Sequence, residues 1–220
     1  MALPRTAGQA PRTPLSRERI LRAAVALAGA AGIEALTMRR LGQQLGVEAM
    51  SLYKHVANKD DVLDGIVDLV VGEIEVPPTG TPWRPAMRAR AVSAHAVLLA
   101  HPWAALQIMS RFSIGPGMTR YLDATLGRLR EGGFTVEGAL DAWHALDSHI
   151  YGFTLQELGL PFEADQAAQV SADVLGTLSA EDFPHVVEVI SHVMAHGRVE
   201  DFEFGLDLVL DGLERTLLAR

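Results

Sequence analysis

The 220-residue sequence predicts an all-α protein. Three observations carry the prediction. Apolar residues recur at three- and four-residue spacings from residue 16 onward. Alternating β-branched runs are nearly absent. Gly and Pro cluster at a few points and cut the chain into helix-length pieces. With 49% apolar and 21% charged residues, the chain has enough apolar surface to offset the entropy of ordering.

Residues 1–15 hold three prolines and little periodicity, and read as a flexible N-terminal arm. Ser16 is a good N-cap for a first helix with Ile20, Ala23, Ala24, Leu27 and Ala28 inward, stopped by Gly32. Thr37 caps a second helix, with Leu41 and Leu45 inside and Gly46 at its end. A third, short helix over about 48–56 turns Leu52 and Val56 inward. Asn58 caps a fourth, to about residue 74, carrying Val62, Leu63, Ile66, Val67, Val70 and Val71. The run Val76-Pro77-Pro78-Thr79-Gly80-Thr81-Pro82 breaks the pattern. Helices are then expected at about 83–100, 103–111, 116–132, 136–159, 165–178, 183–196 and 200–218. The domain reading is a helix-turn-helix domain over 16–62, joined through a shared helix to a larger domain over 63–220.

The net charge of −8 is unevenly spread. Residues 1–60 carry nine Lys/Arg against four Asp/Glu, net +5, and residues 61–220 carry ten against twenty-three, net −13. A basic front on an acidic body suits a protein that meets a polyanion with its front alone. There is no cysteine, which excludes disulfides, thiolate nucleophiles and Cys-ligated zinc. No apolar run is long enough to span a membrane, and the N-terminus lacks a signal-peptide layout, so a cytoplasmic protein is expected. Neither the His144/His149 spacing nor the His192/His196 pair completes a metal motif, and no nucleophile serine lies near His144. No metal, no cofactor and no enzyme activity are expected.

Residues 36–59 read LTMRRLGQQLGVEAMSLYKHVANK. Two short helices meet at Leu45-Gly46-Val47, where glycine permits the left-handed backbone of a tight turn. Once Leu52 and Val56 turn inward, the third helix presents Glu48, Ala49, Ser51, Lys54 and His55, ringed by Arg39, Arg40, Lys54 and Lys59. Small and hydrogen-bonding groups amid positive charge suit entry into a DNA major groove. A plain helical hairpin with a solvated basic face has the same spacing.

The run T-x-R-x-L-G-Q-x-L-G-V-x-x-x-S-L-Y-x-H-V-x-N-K, from Thr37 to Lys59, resembles the DNA-binding domain of the tetracycline-repressor (TetR) family. Trp83, Leu98-Leu99-Ala100-His101, Gly132-Gly133-Phe134-Thr135, Phe204-Gly205-Leu206-Asp207-Leu208 and Gly212-Leu213-Glu214 are similar to the regulatory domain of its tetracycline-repressor branch. The resemblance implies that Thr37 and Lys59 contact phosphates and that Arg39 reaches a base edge. It places Ala49, Met50 and Ser51 at the start of the recognition helix, with Tyr53 and His55 on the DNA backbone beside it. Lys54 stands where the tetracycline repressor has a bulky aromatic, and Ala49 and Met50 also differ, which implies a different operator.

The helix at 136–159 carries two stripes. Ala139, Trp143, Leu146, Ile150 and Phe153 suit core or partner-helix packing. Leu140, His144, Asp147, Tyr151, Thr154 and Leu158 mix apolar and hydrogen-bonding groups, as a ligand site, a wet face or a polar dimer seam would. The resemblance places Leu140, Trp143, His144 and Asp147 beside the family's ligand cavity. It adds Met87, Arg90, Ala94, Ile108, Met109, Phe112 and Tyr121 as walls, with Phe183 reaching toward a partner subunit's pocket. Ile108 and Glu75 replace two histidines of the metal–tetracycline site, so neither tetracycline nor magnesium is expected.

On the last helix, Phe202, Leu206, Val209, Leu213 and Leu217, with Gly205 and Gly212, resemble half of a four-helix dimer interface. An internal amphipathic helix has the same pattern. The expectation is a homodimeric repressor that binds a palindromic operator and is released by a small hydrophobic or polycyclic effector. A ligand-sequestering protein with an unused helix-turn-helix shares these features, and binding to its own upstream DNA separates the two.

Overall fold

The computed structural model describes residues 14–111, 114–159, 166–196 and 201–218. All regular structure among them is helical. The helices are α1 (Arg17–Ala31), α2 (Met38–Leu45), α3 (Ala49–Leu52), α4 (Lys59–Val71), α5 (Trp83–Ala100) and α6 (Ala104–Ser110). They continue as α7 (Pro116–Glu131), α8 (Val136–Leu158), α9 (Ala167–Leu175), α10 (Pro184–His196) and α11 (Phe202–Leu218). A 3-10 turn at Ile33–Ala35 follows α1. The expected helices are all present. α3 is shorter than the expected 48–56, because the chain leaves it in tight turns at Tyr53–His55.

The caps are those the sequence signals. Ser16, Thr37, Asn58 and Thr135 accept from Arg19 N, Arg40 N, Asp61 N and Gly138 N at 3.2, 3.2, 2.8 and 3.0 Å. Each satisfies one backbone donor of a helix first turn.

Two compact units divide the chain. The first takes in the described residues up to Glu73 together with His101–Arg120, and the second holds Ile74–Ala100 with the described residues from Tyr121 on. The expected boundary at 62/63 falls inside α4. In the structure α4 stays whole in the first unit, because it packs on both α1 and α6.

In the first unit Ile20, Leu21, Ala24, Leu41, Leu52, Val56, Leu63 and Ile66 are buried. Gly65 lets α4 approach Leu21, since a Cβ there would lie 2.6 Å from its Cδ2. Arg17 closes onto both carboxylate oxygens of Asp61 at 2.7 and 2.8 Å, and Asp61 also accepts from Ala57 N. The Arg17 hydrogen bond holds the Asp61 carboxyl below its ordinary range.

Arg111 and the first turn of α7 are fastened to α4 along Asp60, Asp64 and Asp68. Arg111 Nε donates to Asp64 at 2.7 Å and Nη2 to Asp60 at 3.1 Å. Asp68 accepts from Gly117 N and Met118 N at 3.0 and 2.8 Å, capping α7 from a neighbouring helix.

In the second unit α5, α8 and α11 pack on one another, and α9 packs on α10. Ala86, Met87, Ala91, Ala94 and Leu98 of α5 meet Ala139, Ala142, Leu146 and Ile150 of α8 in the core. Arg84 and Arg88 pair with Asp211, Glu214, Glu203 and Asp207 of α11. The glycine pair after α7 has a local cause. A Cβ on Gly132 would lie 2.5 Å from Trp83, and Gly133 adopts φ 95°, which only glycine does freely. Phe134 then packs edge-on against Trp83 at 5.0 Å.

The α11 stripe differs from expectation. Phe202, Leu206 and Leu210 are buried inside the unit against α5 and α8, while Phe204 and Leu208 stand exposed. Gly205 admits the His149 ring of its own chain, and Gly212 meets nothing close.

Candidate nucleic-acid interface and ligand site

The α2–turn–α3 unit is held by two glycines. Gly46 caps α2 at φ 68°, and a Cβ on Gly42 would lie 2.9 Å from Val47 O and 3.2 Å from Ala49 N. The backbones of α2 and α3 therefore touch at Gly42. Leu41, Leu52 and Val56 fill the small core beneath. That packing fixes what α3 shows outward. Met50 is 74% exposed, Tyr53, Lys54 and His55 are exposed, and Ala49 and Ser51 are partly exposed. Thr37, Arg39 and Lys59 are exposed as well. All nine residues expected at DNA thus lie at the surface of one small unit.

The cations there are uncommitted. Arg39, Arg40, Lys54 and Lys59 make no ion pair among the described residues, whereas Arg17 and Arg22 of α1 are paired with Asp61 and Glu18. Unpaired cations around a short exposed helix can neutralise phosphates without first breaking an internal contact. Lys59 stands at the α4 N-terminus, where the helix dipole also favours an anion.

The second unit buries an unusual charged group. Arg90 of α5 has no exposed surface. Its Nη2 donates to the Tyr121 hydroxyl of α7 and to Asp147 of α8, and the guanidinium lies 4.8 Å from the Tyr121 ring centre. Burial opposes the cation, yet Tyr121 and Asp147 more than offset it and hold the arginine protonated. Burial also pushes the Tyr121 phenol up to about 12 and the Tyr151 phenol further, so both stay neutral. Arg90 Nε and Nη1 are buried with no acceptor. Trp143 Nε1 is likewise buried without a partner.

The expected ligand residues divide. Arg90, Asp147 and Tyr151 come together with Tyr121, and Met87 and Ala94 are buried on the same helix as Arg90. Leu140 and His144 are exposed, and Trp143 is half-buried against the His144 ring. Phe183 is exposed just before α10. Ile108, partly buried, and Met109, exposed, belong to α6 of the first unit. Phe112 lies outside the described residues. No group of three or more potential metal ligands occurs among the described residues.

Two constellations escape a reading by motif. His95 Nδ1 lies 2.9 Å from Thr154 Oγ1 and Nε2 3.3 Å from Glu157, with the ring stacked 4.2 Å from Phe202. His95 stands alone between alanines in the sequence, so nothing flags it. The grip of Arg111 and the α7 N-terminus on α4 has a visible trace, the four-residue spacing of Asp60, Asp64 and Asp68.

Residues 20–66 match the family described as bacterial regulatory proteins, tetR family, and residues 76–217 match the tetracyclin repressor-like C-terminal domain. The chain is 30% identical over 233 residues to the transcriptional repressor DrrR1 of Streptomyces coeruleorubidus, spanning 98% of this chain and 83% of that one. It is 30% identical over 208 residues to the class C tetracycline repressor protein of Escherichia coli, spanning 93% of each chain. Among solved structures, ActR of Streptomyces coelicolor in complex with actinorhodin superposes with a TM-score of 0.76 at 31% identity, over 94% of this chain and 98% of that one. No single helix among the described residues is long and apolar enough to cross a membrane. With both parts of the chain matched and its relatives regulators rather than enzymes, the chain belongs to the tetracycline-repressor (TetR) family of DNA-binding transcription regulators.

Proposed function

We propose that the protein is a dimeric repressor that reads a palindromic operator and is released by a small, largely apolar or polycyclic effector. The observation that carries the reading is the exposed face of α3 ringed by Arg39, Arg40, Lys54 and Lys59, which make no ion pair among the described residues. Thr37 and Lys59 take phosphates, Arg39 reads a base edge, and Ala49, Met50 and Ser51 meet bases and thymine methyls. Tyr53, Lys54 and His55 lean on the backbone beside them. One such module makes too few contacts for a specific site, so two copies read two half-sites.

The effector site is built on Arg90, Asp147 and Tyr151 of the second unit, with Trp143, His144, Leu140 and Phe183 as further contacts. The names of the repressor relatives and the actinorhodin complex of ActR support a repressor with a polycyclic effector. The exposed apolar side chains of α8, α10 and α11 support dimerisation there. The site of action is the cytoplasm, where the DNA is. An effector that prefers the DNA-incompetent state about 100-fold supplies roughly 2.7 kcal/mol of coupling.

A mobility-shift titration on the DNA upstream of the protein's own gene tests this. A retarded band that survives excess random DNA and is lost on adding effector is the expected result. Equal affinity for upstream and random DNA would leave a ligand-sequestering protein as the better reading.

A further inference from the structure

We propose that the effector carries a carboxylate and that Arg90 is its anchor. The inference deepens the effector reading above and rests on it. An arginine side chain is a permanent cation whose nitrogens are all donors. Among the described residues only Nη2 of Arg90 is used, by Tyr121 and Asp147. Nε and Nη1 are buried and end on no acceptor. Buried donors without acceptors are costly, and more so on a charged group. A side chain placed there only to brace α5 against α8 would gain by filling those positions with protein acceptors.

The neighbours point to the same ligand chemistry. Tyr121 and Tyr151 are neutral phenols at physiological pH, and each can donate. The Tyr151 hydroxyl has no hydrogen-bond partner among the described residues, one turn beyond Asp147. Donors therefore outnumber acceptors around Arg90, and the occupant that balances them is rich in acceptor oxygens and negatively charged. Asp147 does not fill this role, because it takes Nη2 and leaves Nε and Nη1 without an acceptor. Arg90 has no exposed surface in this conformation, so the acid reaches it with a local shift of the side chains around it.

Three probes of one ring system separate the charge from the apolar body: anthraquinone-2-carboxylate, its methyl ester and anthraquinone. Their affinities for the full-length protein are read by quenching of its tryptophan fluorescence at pH 7.5. The acid is expected to bind at least ten-fold more tightly than the ester. Arg90→Met combined with Asp147→Asn removes both charges together and leaves no unpaired ion, and it should erase the preference. Arg90→Lys keeps the charge with fewer donors and should retain part of it. If the ester binds wild type as tightly as the acid, or the double variant still prefers the acid, the carboxylate assignment falls while the effector reading stands. If none of the three probes binds, the polycyclic effector reading falls with it.

Discussion

His95 lies between the Phe202 ring, the Thr154 hydroxyl and the Glu157 carboxylate, and burial pushes its imidazole below the usual histidine range. Glu157 pulls the other way, and His149 adds to the depression. The folded state thus disfavours a proton that the unfolded chain accepts. The stabilisation is complete above the unfolded pKa of about 6.5 and is lost as pH falls below it. Denaturant unfolding at pH 7 and pH 5 should show wild type losing more stability than His95→Gln; equal losses would mean that other groups carry the acid sensitivity. At the DNA face, Arg39→Ala and Lys59→Ala should differ in kind. Arg39, assigned to a base, should cost about 1–3 kcal/mol on operator and little on random DNA. Lys59, assigned to phosphate, should weaken both and lower the salt slope by about 1 per contact. Equal loss on the two DNAs for Arg39→Ala would remove it from base reading. Caps and glycines were legible in the sequence because their causes are local. His95 was not, because its partners lie 59 and 62 residues away in chain order on α8, at Thr154 and Glu157.

Helix phase was legible where one face is apolar and illegible where two are. α4 places Val62, Leu63, Ile66, Val67, Val70 and Val71 in the core, as its spacing requires. α11 carries apolar residues at both 202/206/210 and 204/208, and spacing cannot say which faces inward. Tertiary contacts decide it, through the Arg84 and Arg88 ion pairs and the His149 ring over Gly205. The same contrast applies to α8. Its Asp147–Tyr151 half joins the buried cluster, while Leu140 and His144 at the other end are exposed. The α2–α3 contact gives a sharp test. Gly42→Ala would press a methyl group against the Val47 carbonyl at 2.9 Å, a backbone atom that cannot swing away. The expected cost is about 1–3 kcal/mol of stability, with loss of operator binding from the tilted α3. A variant as stable as wild type, binding operator equally well, would show that the two helices separate freely.

At the scale of the whole molecule, the charge division matches the division of labour. Arg39, Arg40, Lys54 and Lys59 of the helix-turn-helix make no ion pair among the described residues, whereas Arg84, Arg88 and Arg90 in the second unit are spent on ion pairs with its acids. The second unit also leaves apolar side chains open. Val136 and Leu140 of α8, Phe204 and Leu208 of α11, and Val186, Val189 and Met194 of α10 are exposed, and α10 buries none of its residues. Isolated exposed apolar side chains are ordinary, but several on the helices of one unit suit a surface that a second copy would cover. The expectation is a two-fold dimer through these helices, with Phe204, 64% exposed, and Leu208 in the seam. Leu208→Asp places a charge in that seam and should convert the protein to monomer in sedimentation velocity. Its melting should shift little when measured at concentrations where wild type is already monomeric, because Leu208 is outside the subunit core. Leu206→Asp, two residues earlier on the opposite, buried face of α11, should instead unfold the subunit, because Leu206 has no exposed surface. The monomeric variant should retain weak binding to random DNA, which needs only the cations around α3, and lose the operator-specific increment that two half-sites supply. A Leu208→Asp protein that still sediments as a dimer and still prefers operator would move the interface to the α9–α10 hairpin alone.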